Sequence, residues 1–192
     1  TNDLLGRDLV SLDLTSIKKM IQGKRILVTG AGGSIGSQLC AHILEHSPEA
    51  LIMLDRGENY LYDLQMSLSD EATETQTHYY FGSVTNTKKM ESIFSKHHPH
   101  LIFHAAAHKH VPLMEENIDE AIINNIQGTQ VIAEIAERFE VEKFVLVSTD
   151  KVVQPTSIMG MTKKVAETLI HLMAQKNKTQ FMIVRFGNVL GS

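Results

Sequence analysis

Residues 25–36, RILVTGAGGSIG, decide the fold. An aliphatic strand candidate, 25–29, runs directly into Gly30, Gly33 and Gly36, spaced three apart and opening a helical pattern over 34–46. Strand, glycine loop and helix in that order are the context of a dinucleotide phosphate loop. Gly30 permits the tight turn, Gly33 lets backbone approach a pyrophosphate with no Cβ between them, and Gly36 lets the helix lie close to the sheet. Ser34 and Ile35 begin that helix, whose unpaired N–H groups and positive dipole end face the phosphates.

Beyond the loop, apolar runs of strand length alternate with helical patterns. The strand candidates are 25–29, 50–54, 77–81, 100–105, 143–148 and 180–186, and the helical stretches are 34–46, 58–69, 86–96, 115–138 and 157–176. This alternation predicts βαβ units and an α/β, doubly wound, Rossmann-like parallel sheet covered on both faces. Within 115–138, Ile118, Ile122, Ile126, Ile132, Ile135 and Ala136 recur at three-or-four spacing and predict one buried face. Residues 1–22 read as a lead-in segment with a short helix, and 23–192 as the NAD(P)-binding domain. The end, RFGNVLGS, stops just after an apolar strand without a closing helix, so the chain reads as truncated.

The charge of -4 and pI near 6.2 leave no basic footprint for nucleic acid. Cys40 is the only cysteine, which excludes an internal disulfide and fits a reducing, cytoplasmic setting. No apolar run approaches the roughly 20 residues of a membrane span, and the polar start lacks the regions of a signal peptide.

Asp55 ends the second strand, 19 residues beyond Gly36, where a carboxylate would accept hydrogen bonds from adenosine ribose hydroxyls. Its charge disfavours a 2′-phosphate, whereas Arg56 beside it could attract one. The reading leans to NAD and leaves NADP open. Ser83 and Val84 follow the third strand at a position that lines an adenine pocket. Residues 148–164, STDKVVQPTSIMGMTKK, place Lys163 four residues after Met159. A nicotinamide-dependent short-chain reductase carries tyrosine at that earlier position, and a thioether cannot move the proton that tyrosine moves. The histidines at 97, 98, 100, 104, 108 and 110 span a helix end, a strand and a loop, which argues against a metal site.

TGAGGSIGS (29–37), HAAAHKHVPLMEEN (104–117), NNIQGT (124–129), STDKVVQPTSIMGMTK (148–163) and RFGNVLGS (185–192), in that order, resemble the nucleoside-diphosphate-sugar 4,6-dehydratases of the capsular-polysaccharide biosynthesis type, in the extended short-chain dehydrogenase/reductase superfamily. LLGRD at 4–8 resembles the segment before their catalytic domain. Family members continue past the end of this chain into a part that grips the nucleotide sugar, and some longer members carry membrane spans upstream.

The resemblance implies a lyase acting on UDP-N-acetylglucosamine in bacterial surface-polysaccharide synthesis: hydride leaves C4, water is lost across C5 and C6, and hydride returns to C6. It implies Asp150 as the C6 acid and Lys151 as the C5 base. Asp150 would then need a raised pKa, and the chain must bend there, because adjacent side chains of an extended strand point opposite ways. Thr149 is a hydroxyl donor to the C4 oxygen, and Lys163 a partner of the nicotinamide ribose. Ala105 and Ala106 form the strand end beside the cofactor, and Lys109, His110 and Asn188 are assigned to substrate. Helices 115–138 and 157–176 are where relatives pair, implying a homo-oligomer.

One branch of these dehydratases also carries methionine at position 159. The C4 proton then falls to Asp150, Lys151, a water relay or another chain, with a relay through the Asp150 region favoured. Poor turnover is expected of the truncated chain. An epimerase or reductase would need tyrosine at 159 and has no use for the Asp-Lys pair, whereas a non-catalytic dinucleotide sensor or scaffold draws support from the missing tyrosine.

Overall fold

The computed structural model describes residues 13–69, 74–175, 178–187 and 189. Along β1 (Arg25–Thr29), alternate side chains leave opposite faces of the pleat. Ile26 and Val28 join one core layer and Leu27 joins the other. Five further strands repeat the pattern: β2 (Ala50–Asp55), β3 (Gln76–Phe81), β4 (Leu101–His104), β5 (Lys143–Thr149) and β6 (Gln180–Phe186). All pair in parallel, in the order β3-β2-β1-β4-β5-β6. Every residue of β2 is buried, as a central parallel strand with both faces covered requires. The doubly wound sheet read from the sequence is the one observed.

On the face of Ile26 and Val28 lie α1 (Leu14–Ile21), α2 (Ser34–Leu44) and α3 (Glu58–Leu68), which contribute Ile21, Cys40, Ile43, Leu61 and Leu64. Cys40 is fully buried, and burial pushes its thiol up to about 12. The helix expected in the lead-in segment is α1; residues 1–12 lie outside the described residues. The opposite face carries α4 (Thr87–His97), α7 (Gly128–Arg138) and α8 (Ile158–Ala174), with Met90, Phe94, Ile132, Ile135, Ala166 and Ile170 in the core.

The expected continuous helix over 115–138 is instead several pieces: α5 (Val111–Glu116), α6 (Ile118–Ile122), a π-helical turn (Ile123–Gln127) and α7. The first break falls at Asn117, which leaves helical geometry at φ −130° and ψ 62°. Its amide donates to Leu113 O at 2.8 Å. The π turn then inserts one residue and rotates the apolar stripe by about 100°. Ile132, Ile135 and Ala136 therefore reach the core while Ile118 and Ile122 are exposed, correcting the single buried face. No helix among the described residues is long and apolar enough to cross a membrane.

Candidate active site

The strand order reverses between β1 and β4, and at such a switch point open α/β sheets bind ligands beyond the carboxyl ends of their strands. Two adjoining clefts occupy this place. One of about 290 Å³ is lined by Gly30, Asp55, Arg56, Ser83, Val84 and Ala106, among others. The other, about 490 Å³, includes Ser34, Gly36, Thr149, Lys151, Met159 and Lys163. Both are lined by Gly30, Gly33, Ala105 and His108, so they form one crevice.

The glycines have physical reasons to be there. Gly30 has φ +68°, and a Cβ on it would lie 2.6 Å from Ala106 N. A Cβ on Gly36 would meet the Gly30 carbonyl oxygen at 2.0 Å. Ser34 and Ile35 begin α2 and line the crevice. Asp55 Oδ2 accepts from Gly32 N at 2.9 Å and Oδ1 accepts from Gly57 N at 2.8 Å. That carboxylate ties the phosphate loop to the start of α3 while lining the smaller cleft, and each oxygen retains lone-pair capacity for a ribose hydroxyl. Loop, helix end and carboxylate together fit a dinucleotide.

Beneath the loop, His104 is fully buried. Thr129 Oγ1 donates to Asn125 O at 2.7 Å and lies 3.0 Å from His104 Nε2, so that nitrogen carries the proton. Nδ1, 2.6 Å from Thr29 Oγ1, then accepts. Burial lowers the His104 pKa to about 3, so the imidazole is a neutral strut between β1 and α7. Asn125, in the π turn, accepts from His108 N at 2.8 Å and donates to His108 O and to Thr162 Oγ1, each at 3.1 Å. Asn125 thus ties the loop after β4 to α8. Glu115 adds a second tie by accepting from Ile158 N at 2.8 Å.

The chain does bend after Thr149, into a 3₁₀ turn at Asp150–Val152. Thr149 and Lys151 line the larger cleft, whereas Asp150 stands at its rim, Oδ2 toward Gly187. Thr149 Oγ1 donates to Asp150 Oδ1 at 3.0 Å, and Lys151 Nζ lies 3.3 Å from the same oxygen. The Thr149 hydroxyl, followed by Lys151, holds the exposed Asp150 carboxyl below the usual carboxylate range. That direction corrects the raised pKa expected of a C6 acid. The cause is local hydrogen bonding in place of burial. Lys109 Nζ lies 3.4 Å from Ser34 Oγ, at the phosphate end of the crevice. His110 also lines the larger cleft, and Asn188 lies outside the described residues.

Lys163 is buried beside Met159 in that cleft, and its Nζ donates to Val147 O at 2.7 Å. Burial lowers its pKa from 10.5 to about 8, and Glu167, one turn along α8, opposes the change. The fold therefore bears a buried charge below about pH 8, and this penalty fades as the pH climbs toward 10.5. Lys163→Met is expected to raise the unfolding free energy near neutral pH by about 1–3 kcal/mol, the shift less the lost hydrogen bond. The advantage should shrink toward pH 10.5, and dinucleotide affinity should fall at every pH. Denaturant titrations at the two pH extremes check it.

Tyr60 and Gly57 escaped the sequence reading, and His108 was weighed only as one of the scattered histidines, yet all three line the smaller cleft. Tyr60 packs over Gly32 and Gly57, where added Cβ atoms would meet it at 2.6 and 2.5 Å. A Tyr three residues beyond Gly57, in the turn that follows β2, was the signal available. The remaining histidines disperse: His97 meets Tyr80 and His78, and His100 meets Arg25. Among the described residues no three His, Cys, Asp or Glu converge on a metal position.

Known proteins resemble this chain in sequence and fold. The probable polysaccharide biosynthesis protein EpsC of Bacillus subtilis is 47% identical over 191 residues, covering 99% of this chain and 32% of that protein. A UDP-N-acetylglucosamine 4,6-dehydratase (inverting) of Campylobacter jejuni is 31% identical, across 90% of this chain and 51% of its own length. The crystal structure of a UDP-glucose 4-epimerase with UDP-glucose from Thermotoga maritima superimposes with a TM-score of 0.75 at 25% identity, covering 87% of this chain and 56% of that one. The chain thus spans between a third and just over half of these relatives. The model of the polysaccharide biosynthesis protein family matches residues 26–192, and the chain belongs to that family.

Proposed function

We propose that this crevice binds NAD and a UDP-N-acetylhexosamine and removes water across C5 and C6 of the sugar, as a nucleotide-sugar 4,6-dehydratase of surface-polysaccharide synthesis. The observation that carries the reading is the shared crevice: the phosphate loop, Lys163, Thr149 and Lys151 all line it. The 31% identity with a UDP-N-acetylglucosamine 4,6-dehydratase supports it. Bound NAD supplies a hydride acceptor for C4 and gives the hydride back to C6, which places the C5 proton α to a carbonyl in between.

Met159 cannot take the C4 hydroxyl proton. Thr149 Oγ1 already donates to Asp150 Oδ1, so a sugar hydroxyl donating to Thr149 passes its proton through that hydroxyl to Asp150. The lowered Asp150 pKa keeps the carboxylate ready to accept. Once protonated, Asp150 hands the same proton to the departing C6 hydroxyl. Lys151 removes the C5 proton and later restores it. The proton from C4–OH and the hydroxyl from C6 leave together as one water, and the cofactor ends as it began. Lys163, held by Val147 O, puts its remaining N–H donors beside the nicotinamide ribose. Lys109 lies with the phosphates and His110 with the sugar. Exposed Ile118 and Ile122 on α6, with Met161 and Val165 on α8, support assembly into a homo-oligomer.

Incubation of the protein with UDP-N-acetylglucosamine and NAD is expected to give a nucleotide sugar lighter by one water in the mass spectrum. A C4 epimer of unchanged mass would place the reaction with the epimerases. Bound dinucleotide without conversion would make the chain a scaffold. Asp150→Asn is expected to lower turnover roughly 10²–10⁴-fold, suppressing both hydride withdrawal and water loss.

A further inference from the structure

Arg56 follows Asp55 at the end of β2, and its guanidinium reaches across the mouth of the smaller cleft to two partners. Nη1 lies 2.7 Å from His108 Nε2 and 3.8 Å from a Glu120 carboxylate oxygen on α6. A guanidinium only donates, so Nε2 accepts, and the His108 ring is neutral with its proton on Nδ1. Glu120 stands 4.0 Å from the same nitrogen. With Arg56, Ser83 and Asn124 it also lines a hollow against the outer side of the cleft. Arg56 is thus the wall between the two spaces, with the Asp55 carboxylate on one side and the Glu120 carboxylate on the other.

We propose that Glu120 is a specificity-determining residue: standing beyond Arg56, it draws that guanidinium away from a ribose 2′-phosphate, and so selects the non-phosphorylated dinucleotide. The inference rests on the crevice being a dinucleotide site. A 2′-phosphate brings a full negative charge or more. Beside Asp55, only an arginine free to turn its fork toward it would compensate. Glu120 lies 3.8 Å from one nitrogen of that fork on the far side, the nitrogen whose hydrogen bond goes to His108, and adds a second carboxylate to the surroundings. The pair is half exposed, 53% at Arg56 and 51% at Glu120, so its leverage is modest, roughly fivefold in a binding constant.

The test is isothermal titration of NAD and NADP into the unaltered protein, Glu120→Gln, and Glu120→Gln combined with Arg56→Ala. The unaltered protein should bind NAD more tightly than NADP. Glu120→Gln should tighten NADP roughly fivefold and leave NAD within about twofold, and adding Arg56→Ala should erase the gain. An unmoved NADP affinity, equal tightening of both nucleotides, a gain that survives loss of Arg56, or an initial preference for NADP would each overturn the proposal. If neither nucleotide binds the unaltered protein, the dinucleotide reading itself falls, a result distinct from binding with an unchanged ratio. Glu120 is exposed, and thermal melts matching the unaltered protein would confirm that the variant folds.

Discussion

Lys151→Ala is expected to stop water loss, lowering product formation by roughly 10²–10⁴-fold, while hydride withdrawal from C4 continues. The two effects separate if, as proposed, Lys151 serves C5 alone and the C4 proton travels through Thr149 to Asp150. Reduced nicotinamide should therefore build up in the variant to the level of the bound cofactor, visible by its absorbance, with no lighter sugar in the mass spectrum. The fold should be untouched, since Lys151 sits on an exposed 3₁₀ turn whose start is capped by Thr149. Equal loss of reduced cofactor and product would remove Lys151 from the C5 role and return it to the ion pair with Asp150.

Gly30→Val is expected to abolish dinucleotide binding. A non-glycine residue in the left-handed region costs about 1–3 kcal/mol, and here the new Cβ would also lie within 2.6–2.7 Å of Ala105 and Ala106 backbone atoms. Backbone cannot rotate aside as a side chain can, so the loop after β4 must move and the crevice must open. Gly23→Ala supplies the control. Gly23 has φ +67° but nothing within 4 Å of its Cβ position, so it carries the strain without the clash. It should lose about 1 kcal/mol of stability and keep its affinity. Titration calorimetry on both variants, with circular dichroism to confirm the fold, checks the pair. Normal affinity in Gly30→Val would mean that the phosphates lie elsewhere.

Most of the sheet was legible because parallel strands buried on both faces write themselves as continuous apolar runs, such as 50–54, and because the glycine loop carries its own steric logic. Asp55 was legible for the same reason, by its distance from that loop. The π turn was not. One inserted residue changes neither composition nor helical propensity, and Ile118 and Ile122 keep a spacing that a continuous α-helix would bury. The state of Asp150 was hidden too, since its direction depends on where the Thr149 hydroxyl points. Glu120 and His108 lie 64 and 52 positions from Arg56, and only the folded chain brings them to it. Lys109 meets Ser34 across a separation of 75 residues, a contact that only the folded chain makes.

In the proposed reaction a single crevice passes a hydride from C4 to C6 of the same sugar while Asp150 and Lys151 manage the protons. UDP-N-acetylglucosamine deuterated at C4 tests it directly, with the product examined by NMR. Deuterium is expected to leave C4 and reappear at C6 of a 4-keto-6-deoxy sugar. Deuterium still at C4 of an epimer, or a C6 methyl group filled only from solvent, would contradict it.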